Sequence, residues 1–264
     1  MGLALVALAC PAGSARAAVS PDPGGAGAWG AGVTLLSDGP GPLVLFDQPA
    51  RLDPGGARLA IGLARAGLFE LNELTRLRAA ASWTRGAWTA ALGAETFGPA
   101  AARRARLVLG LALARGATAV GAAWSERRAP GGMDVGRAGS LDAAVATRHG
   151  PLALQLSVRG LLTGGDPLVQ ADPDWTGEVA FDLGPARAHL ARTRDLHGAR
   201  TGGGVALDAG PLLVRAGAVG PPLSWTLGFG VGARAHHAVV RAAYARAVHP
   251  ELGASDALEG SVAW

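Results

Sequence analysis

The chain has 264 residues, room for one large domain or two small ones, and its 41 glycines and 17 prolines exclude a mainly helical protein despite abundant alanine. It has no lysine, and its net charge of +4 comes from arginines interleaved with acids, which gives no clustered basic footprint for nucleic acid. Beyond the extreme N-terminus no apolar run reaches the ~18 residues of a membrane-spanning helix.

Residues 2–10 form an apolar run, followed by Pro11-Ala12-Gly13-Ser14 and the small-residue site Ala15-Arg16-Ala17. This predicts a signal peptide over residues 1–17, cut before Ala18. Cys10 leaves with it, so the mature chain has no thiol for a disulfide or a metal. Residues 18–56 differ from everything after them. Their central part, 24–52, is rich in glycine, turns through Asp38-Gly39-Pro40-Gly41-Pro42, and ends in Leu43, Val44, Leu45 and Phe46. With Trp29 and Val33 added, it is too apolar to stay solvated, yet it lacks alternation.

Alternation starts at residue 57. Leu59, Ile61 and Leu63 face one way and Arg58, Ala60 and Gly62 the other. Leu77 and Trp83 oppose Arg76, Arg78 and Ser82, and Trp88 and Leu92 oppose Thr89 and Gly93. Leu107, Leu109, Leu111 and Leu113 oppose Arg106, Val108, Gly110 and Ala112. Fainter segments lie at 118–126 and 141–148, followed by clear ones at 152–158 and 179–183 and faint ones at 186–194, 201–207 and 212–219. The sharpest is 223–232, where Leu223, Trp225, Leu227, Phe229 and Val231 alternate with Ser, Thr and Gly. Segments at 238–245 and 258–264 complete the series.

One wall of each segment is large and apolar and the other small or polar, as on a strand between lipid and a wet, crowded interior. Period-2 leucines would fall all around a helix rather than on one side. Short turn clusters such as Arg85-Gly86, Arg115-Gly116 and Gly184-Pro185 alternate with longer connections, expected at 97–104, 127–139, 163–174 and 195–202. These features predict an all-β fold: a closed antiparallel transmembrane β-barrel of about fourteen strands over residues 57–264. Residues 18–56 are then expected in the lumen as a plug.

Catalytic signatures do not appear. The histidines show no ligand spacing, and adjacent His236 and His237 read as a turn feature. There is no Gly-x-Ser-x-Gly elbow or phosphate-binding Gly-Lys motif. Neither an enzyme nor a cofactor is expected, and a barrel-borne hydrolase is the least favoured reading. The assigned faces aim Arg78, Glu95, Arg106, Asp142, Arg159, Glu178, Asp182, Arg187, Arg215, Arg241 and Glu259 inward, where charges must meet water or one another. Trp29, Val33 and Phe46 are expected to pack inside, with Asp47 and Arg51 meeting inward charges such as Arg106 or Glu178. By its resemblance to the terminal aromatic of outer-membrane barrel proteins generally, Trp264 on the final strand is expected to aid barrel assembly.

Residues 24–52 resemble the N-terminal hatch of the FadL-type outer-membrane transporter superfamily, particularly its shorter PorV/PorQ-like members. The motif Gln48-Pro49-Ala50-Arg51-Leu52 is similar to the family's Asn-Pro-Ala-Gly-Leu, with the Asn and Gly replaced. His249-Pro250-Glu251-Leu252-Gly253 before a last strand ending in an aromatic also resembles that group. The resemblance implies a bacterial outer-membrane location, a fourteen-stranded barrel with its N-terminal segment in the lumen, and insertion by the barrel-insertion machinery. It also implies one of two roles: passing hydrophobic small molecules, or serving secretion-system proteins in export and surface attachment.

Overall fold

The computed structural model describes residues 41–52, 58–131, 134–167, 169–170, 172–196 and 198–264. The expected signal peptide, and residues 18–40 with Trp29 and Val33, lie outside the described residues.

The two-residue period becomes fourteen strands: β1 (Leu59–Leu68), β2 (Leu71–Arg85), β3 (Trp88–Phe97), β4 (Arg104–Arg115), β5 (Thr118–Gly131), β6 (Asp134–His149), β7 (Leu152–Gly165), β8 (Asp174–Leu183), β9 (Ala186–Asp195), β10 (Gly198–Ala209), β11 (Leu212–Gly220), β12 (Ser224–Ala235), β13 (Ala238–His249) and β14 (Gly253–Ala263). Each pairs antiparallel with its sequence neighbours. β1 also pairs with β14, from Ala60 opposite Ala263 to Gly67 opposite Asp256, so the sheet is a closed barrel with no free edge.

The faces follow the alternation. On β12, Trp225, Leu227, Phe229 and Val231 are exposed on the outside while Ser224, Thr226, Gly228 and Gly230 are buried. On β4, Leu107, Leu109 and Leu111 are about half exposed, whereas Arg106, Val108 and Ala112 are buried. So much apolar surface is untenable in water but suits a bilayer. Trp83, Trp88 and Trp264 sit near one end of the barrel, Trp175 and Trp225 near the other, as aromatic girdles require.

Two-residue turns join β2–β3, β4–β5, β6–β7, β8–β9, β10–β11 and β12–β13 at the end where β1 begins. Tight hairpins of this length need positive φ, which Gly86, Gly116, Gly150, Gly184 and Gly210 supply. His236, at φ 50°, occupies the same place in the β12–β13 turn. At the opposite end, residues 98–103 and 166–173 form longer connections.

Two of the loops expected from the sequence are largely strand among the described residues. Over 127–139, Arg127 pairs with Ala138, Arg128 with Arg137 and Ala129 with Gly136. Over 195–202, Gly198 pairs with Asp195 and Arg200 with Thr193. Both stretches stand toward the end away from the short turns, where the outer face need not be apolar. Backbone pairing continues there after the hydrophobic signal has stopped.

Candidate functional site

The lumen holds a second layer made by the chain itself. Pro42 and Pro49 each open a short 3-10 turn, Pro42–Phe46 and Pro49–Arg51, because proline presets φ and needs no hydrogen-bond acceptor in a first turn. These turns pack chiefly against β1 to β6. Leu45, Phe46 and Leu52 are fully buried, covering the small inward side chains Ala80, Ala91, Ala112 and Ala123 and the larger Val108. Each such large side chain removed from water contributes roughly 1.5–3 kcal/mol.

Four inward glycines make the seat. A Cβ on Gly62 would lie 2.8 Å from Leu43 Cγ, and one on Gly93 would lie 2.7 Å from Phe46 Cζ. A Cβ on Gly110 would collide with Leu45, and one on Gly121 with the Pro49–Ala50 backbone. Here the absent side chain allows the close approach.

Ion pairs tie the segment down. Asp47 Oδ2 accepts from Arg78 Nη1 at 2.7 Å, and Asp47 Oδ1 lies 3.5 Å from Arg159 Nη1. Arg159 also meets Asp174 at 2.7 Å, and Arg78 pairs with Glu95. Arg106 donates to the Phe46 carbonyl at 3.3 Å and to Asp142 at 2.9 Å. Asp142 sits where the β6–β7 register shifts and accepts from the Gly160 N–H at 2.8 Å. The Arg78 guanidinium lies 5.0 Å from the Phe46 ring centroid, within cation–π range.

The structure thus brings Phe46, Asp47, Arg106 and Arg159 together. Asp47 meets Arg78 and Arg159, while Arg106 reaches the segment through the Phe46 carbonyl. Glu178 is buried on the inner face of β8. Asp182 stands apart, near the short-turn end, paired with Arg187 and 3.5 Å from Arg148. Trp264 closes the seam: its N–H donates to the Leu59 carbonyl at 2.8 Å, and its carbonyl accepts from the Arg58 N–H at 2.6 Å. Sequence reasoning missed Asp174 and the glycine seat. Their only signal was an acid opening β8 and glycines in step with the inward face.

Between the segment and the facing strands β8 to β14 lies a cavity of about 660 Å³. Leu43, Val44, Leu213 and Ala206 give it apolar patches, and Arg51, Asp182, Arg187 and Arg241 line it as well. The Gln48 amide, 1% exposed, also lines it and has no hydrogen-bond partner among the described residues. A buried amide of this kind calls for water or a guest with a hydrogen-bonding group. The site can hold a compact, partly apolar molecule, and the described residues offer no cluster of metal ligands.

No protein-family model matches the sequence, and no curated protein matches it. Solved structures do resemble it. The Ralstonia pickettii toluene transporter TbuX superposes with a TM-score of 0.61 at 10% identity, covering 93% of this chain and 98% of that one. The Pseudomonas putida toluene transporter TodX gives 0.56 at 10% identity, covering 92% and 97%. At such identity the likeness establishes the fold: this chain is built as the barrel of those two transporters is.

Proposed function

We propose that the protein is an outer-membrane barrel of the FadL-like kind that passes small hydrophobic molecules, with residues 18–56 as its hatch. The observation that carries this reading is the one-sided packing of the described inner segment. The segment 42–52 is packed and ion-paired against β1 to β6, leaving a cavity of about 660 Å³ against β8 to β14. A hatch held in this way hinders ion flow through the barrel. The cavity beside it accommodates a molecule of the size of a substituted aromatic ring or a short aliphatic chain. The fold shared with TbuX and TodX, both described as toluene transporters, supports the hydrophobic class of cargo. The connections opposite the two-residue turns, of which 98–103 and 166–173 are the longer, still offer only a small platform for a secreted protein, so the transporter reading is preferred to a PorV-like one.

Uptake tests the proposal. Cells displaying the folded barrel are expected to take up radiolabelled toluene or a short-chain alkane faster than cells without it. Ala206→Trp, which fills the cavity from the β10 wall, is expected to abolish the gain. Uptake by the intact, correctly folded protein no faster than background overturns the proposal.

A further inference from the structure

The outer wall has a feature that transport through the lumen does not use. On β8, Gly177 occupies an outward position between Trp175 and Val179. A Cβ placed there would meet no atom closer than Trp175 Cζ3 at 3.8 Å, so the position is an open dent. Around it lies a groove of about 500 Å³ walled mainly by Leu154, Leu156, Val179 and Leu190. Pairing is continuous beneath it, with Gly177 opposite both Leu156 and Arg192 and Arg192 opposite Thr201. The feature is therefore a surface groove and not an opening into the lumen.

Arg192 and Thr201 line the groove in the same cross-strand row as Gly177, two residues further from the short turns than Val179 and Leu190, and Arg194 follows two residues further along β9, opposite Trp175. Both arginines share the outward face of Leu190 and are exposed, and neither makes a hydrogen bond or an ion pair among the described residues. Two outward arginines elsewhere on the wall are neutralised locally instead: Arg128 pairs with Glu126 at 2.9 Å, and Arg246 with Glu70 at 3.2 Å. Two cations without acids, set above an apolar trough on a bilayer-facing wall, complement one kind of molecule. It has a fatty chain below and a phosphate above.

We infer that strands β6 to β10 form an outer-wall site for a phosphate-bearing lipid of the leaflet on the long-connection side. Its acyl chain lies over Gly177 between Leu156 and Leu190, and its phosphate is held by Arg192 and Arg194 with the Thr201 hydroxyl. Arginine suits this place because its long stem lies along the apolar wall while the guanidinium reaches the headgroup layer. The inference rests on the membrane reading of the barrel and is independent of what passes through the lumen.

Native mass spectrometry of the folded barrel, released from detergent with dimyristoyl phosphatidylglycerol or dimyristoyl phosphatidylcholine, tests it. The intact protein is expected to retain one phosphatidylglycerol in preference to phosphatidylcholine. Arg192→Gln and Arg194→Gln should each weaken retention of the anionic lipid about fivefold. Gly177→Leu, which fills the trough, should weaken retention of both lipids. Arg128→Gln, which removes a paired outward arginine, should change neither. Heat-modifiable migration verifies that each variant is folded, and hydrocarbon uptake by Arg192→Gln should match the intact protein whatever the lipid result. Equal retention by the intact protein and both arginine variants overturns the site. A loss as large in Arg128→Gln also overturns it, by reducing the effect to general charge attraction.

Discussion

Asp47 and Arg78, thirty-one positions apart in the sequence, meet at 2.7 Å inside the barrel with both side chains almost wholly out of solvent. The carboxylate belongs to the inner segment and the guanidinium to the wall. This contact joins the two layers where Arg159 and Glu95 also converge.

Removing the carboxylate strands buried cations, so Asp47→Asn is expected to destabilise the folded barrel by about 3–5 kcal/mol. The exposed pair Glu126–Arg128 is the contrast, and Glu126→Gln should cost less than about 1 kcal/mol. Urea midpoints of the two variants in lipid vesicles provide the comparison. A midpoint for Asp47→Asn equal to that of the intact protein would show that the pair is not an anchor.

The glycine seat predicts a change in conductance. Gly93→Leu drives a side chain into Phe46, whereas Gly230→Ala makes only ordinary contact, its nearest neighbour being Leu213 Cβ at 3.5 Å. In planar bilayers Gly93→Leu is expected to show open-channel steps that the intact protein and Gly230→Ala lack. Quiet recordings from all three would mean that the segment does not control the pore.

Leu109 tests the outer face. It is 58% exposed midway along β4, and an arginine there should cost roughly 2–4 kcal/mol near the bilayer midplane. Leu196→Arg, in the β9–β10 connection, should fall within about 0.5 kcal/mol of the intact protein. Equal stabilities in a vesicle unfolding assay would place Leu109 outside the lipid.

Trp264 has separable parts. Its backbone closes the β1–β14 seam through Leu59 and Arg58, while its exposed ring makes no contribution to that pairing. Trp264→Ala keeps the seam and removes the ring, and deletion removes both. If the ring guides the barrel-insertion machinery, the alanine variant should lose folded barrel in cells yet refold normally in vesicles. Equal cellular yields from Trp264→Ala and the intact protein would assign the role to the seam alone.

The strands were legible because each wall position has one environment. Leu107, Leu109 and Leu111 could not alternate with Arg106, Val108 and Gly110 on any element other than a strand between two unlike media. Beyond the apolar band that pressure vanishes, so the hairpin Arg127–Ala138 read as a loop. The partners of Asp47 were out of reach for another reason. Arg78, Arg106 and Arg159 are equivalent inward arginines in the sequence, and only the register and the 3-10 turns decide which guanidinium lies within 3 Å of the carboxylate. The glycine seat was hidden likewise, since Gly93 and Gly230 look alike until the segment lies against one of them.

The one-sided inner layer has a mechanical consequence. A closed sheet yields to lateral pressure by becoming oval, which changes the angles between neighbouring strands more than their hydrogen bonds. Over β1 to β6 any such bending must also compress Leu45, Phe46 and Leu52, and packed interiors resist compression. Over β8 to β14 the wall bends against a cavity instead. Shape changes caused by bilayer thickness or tension should therefore concentrate in that arc, and its backbone amides should exchange with solvent deuterium sooner than those of the braced strands.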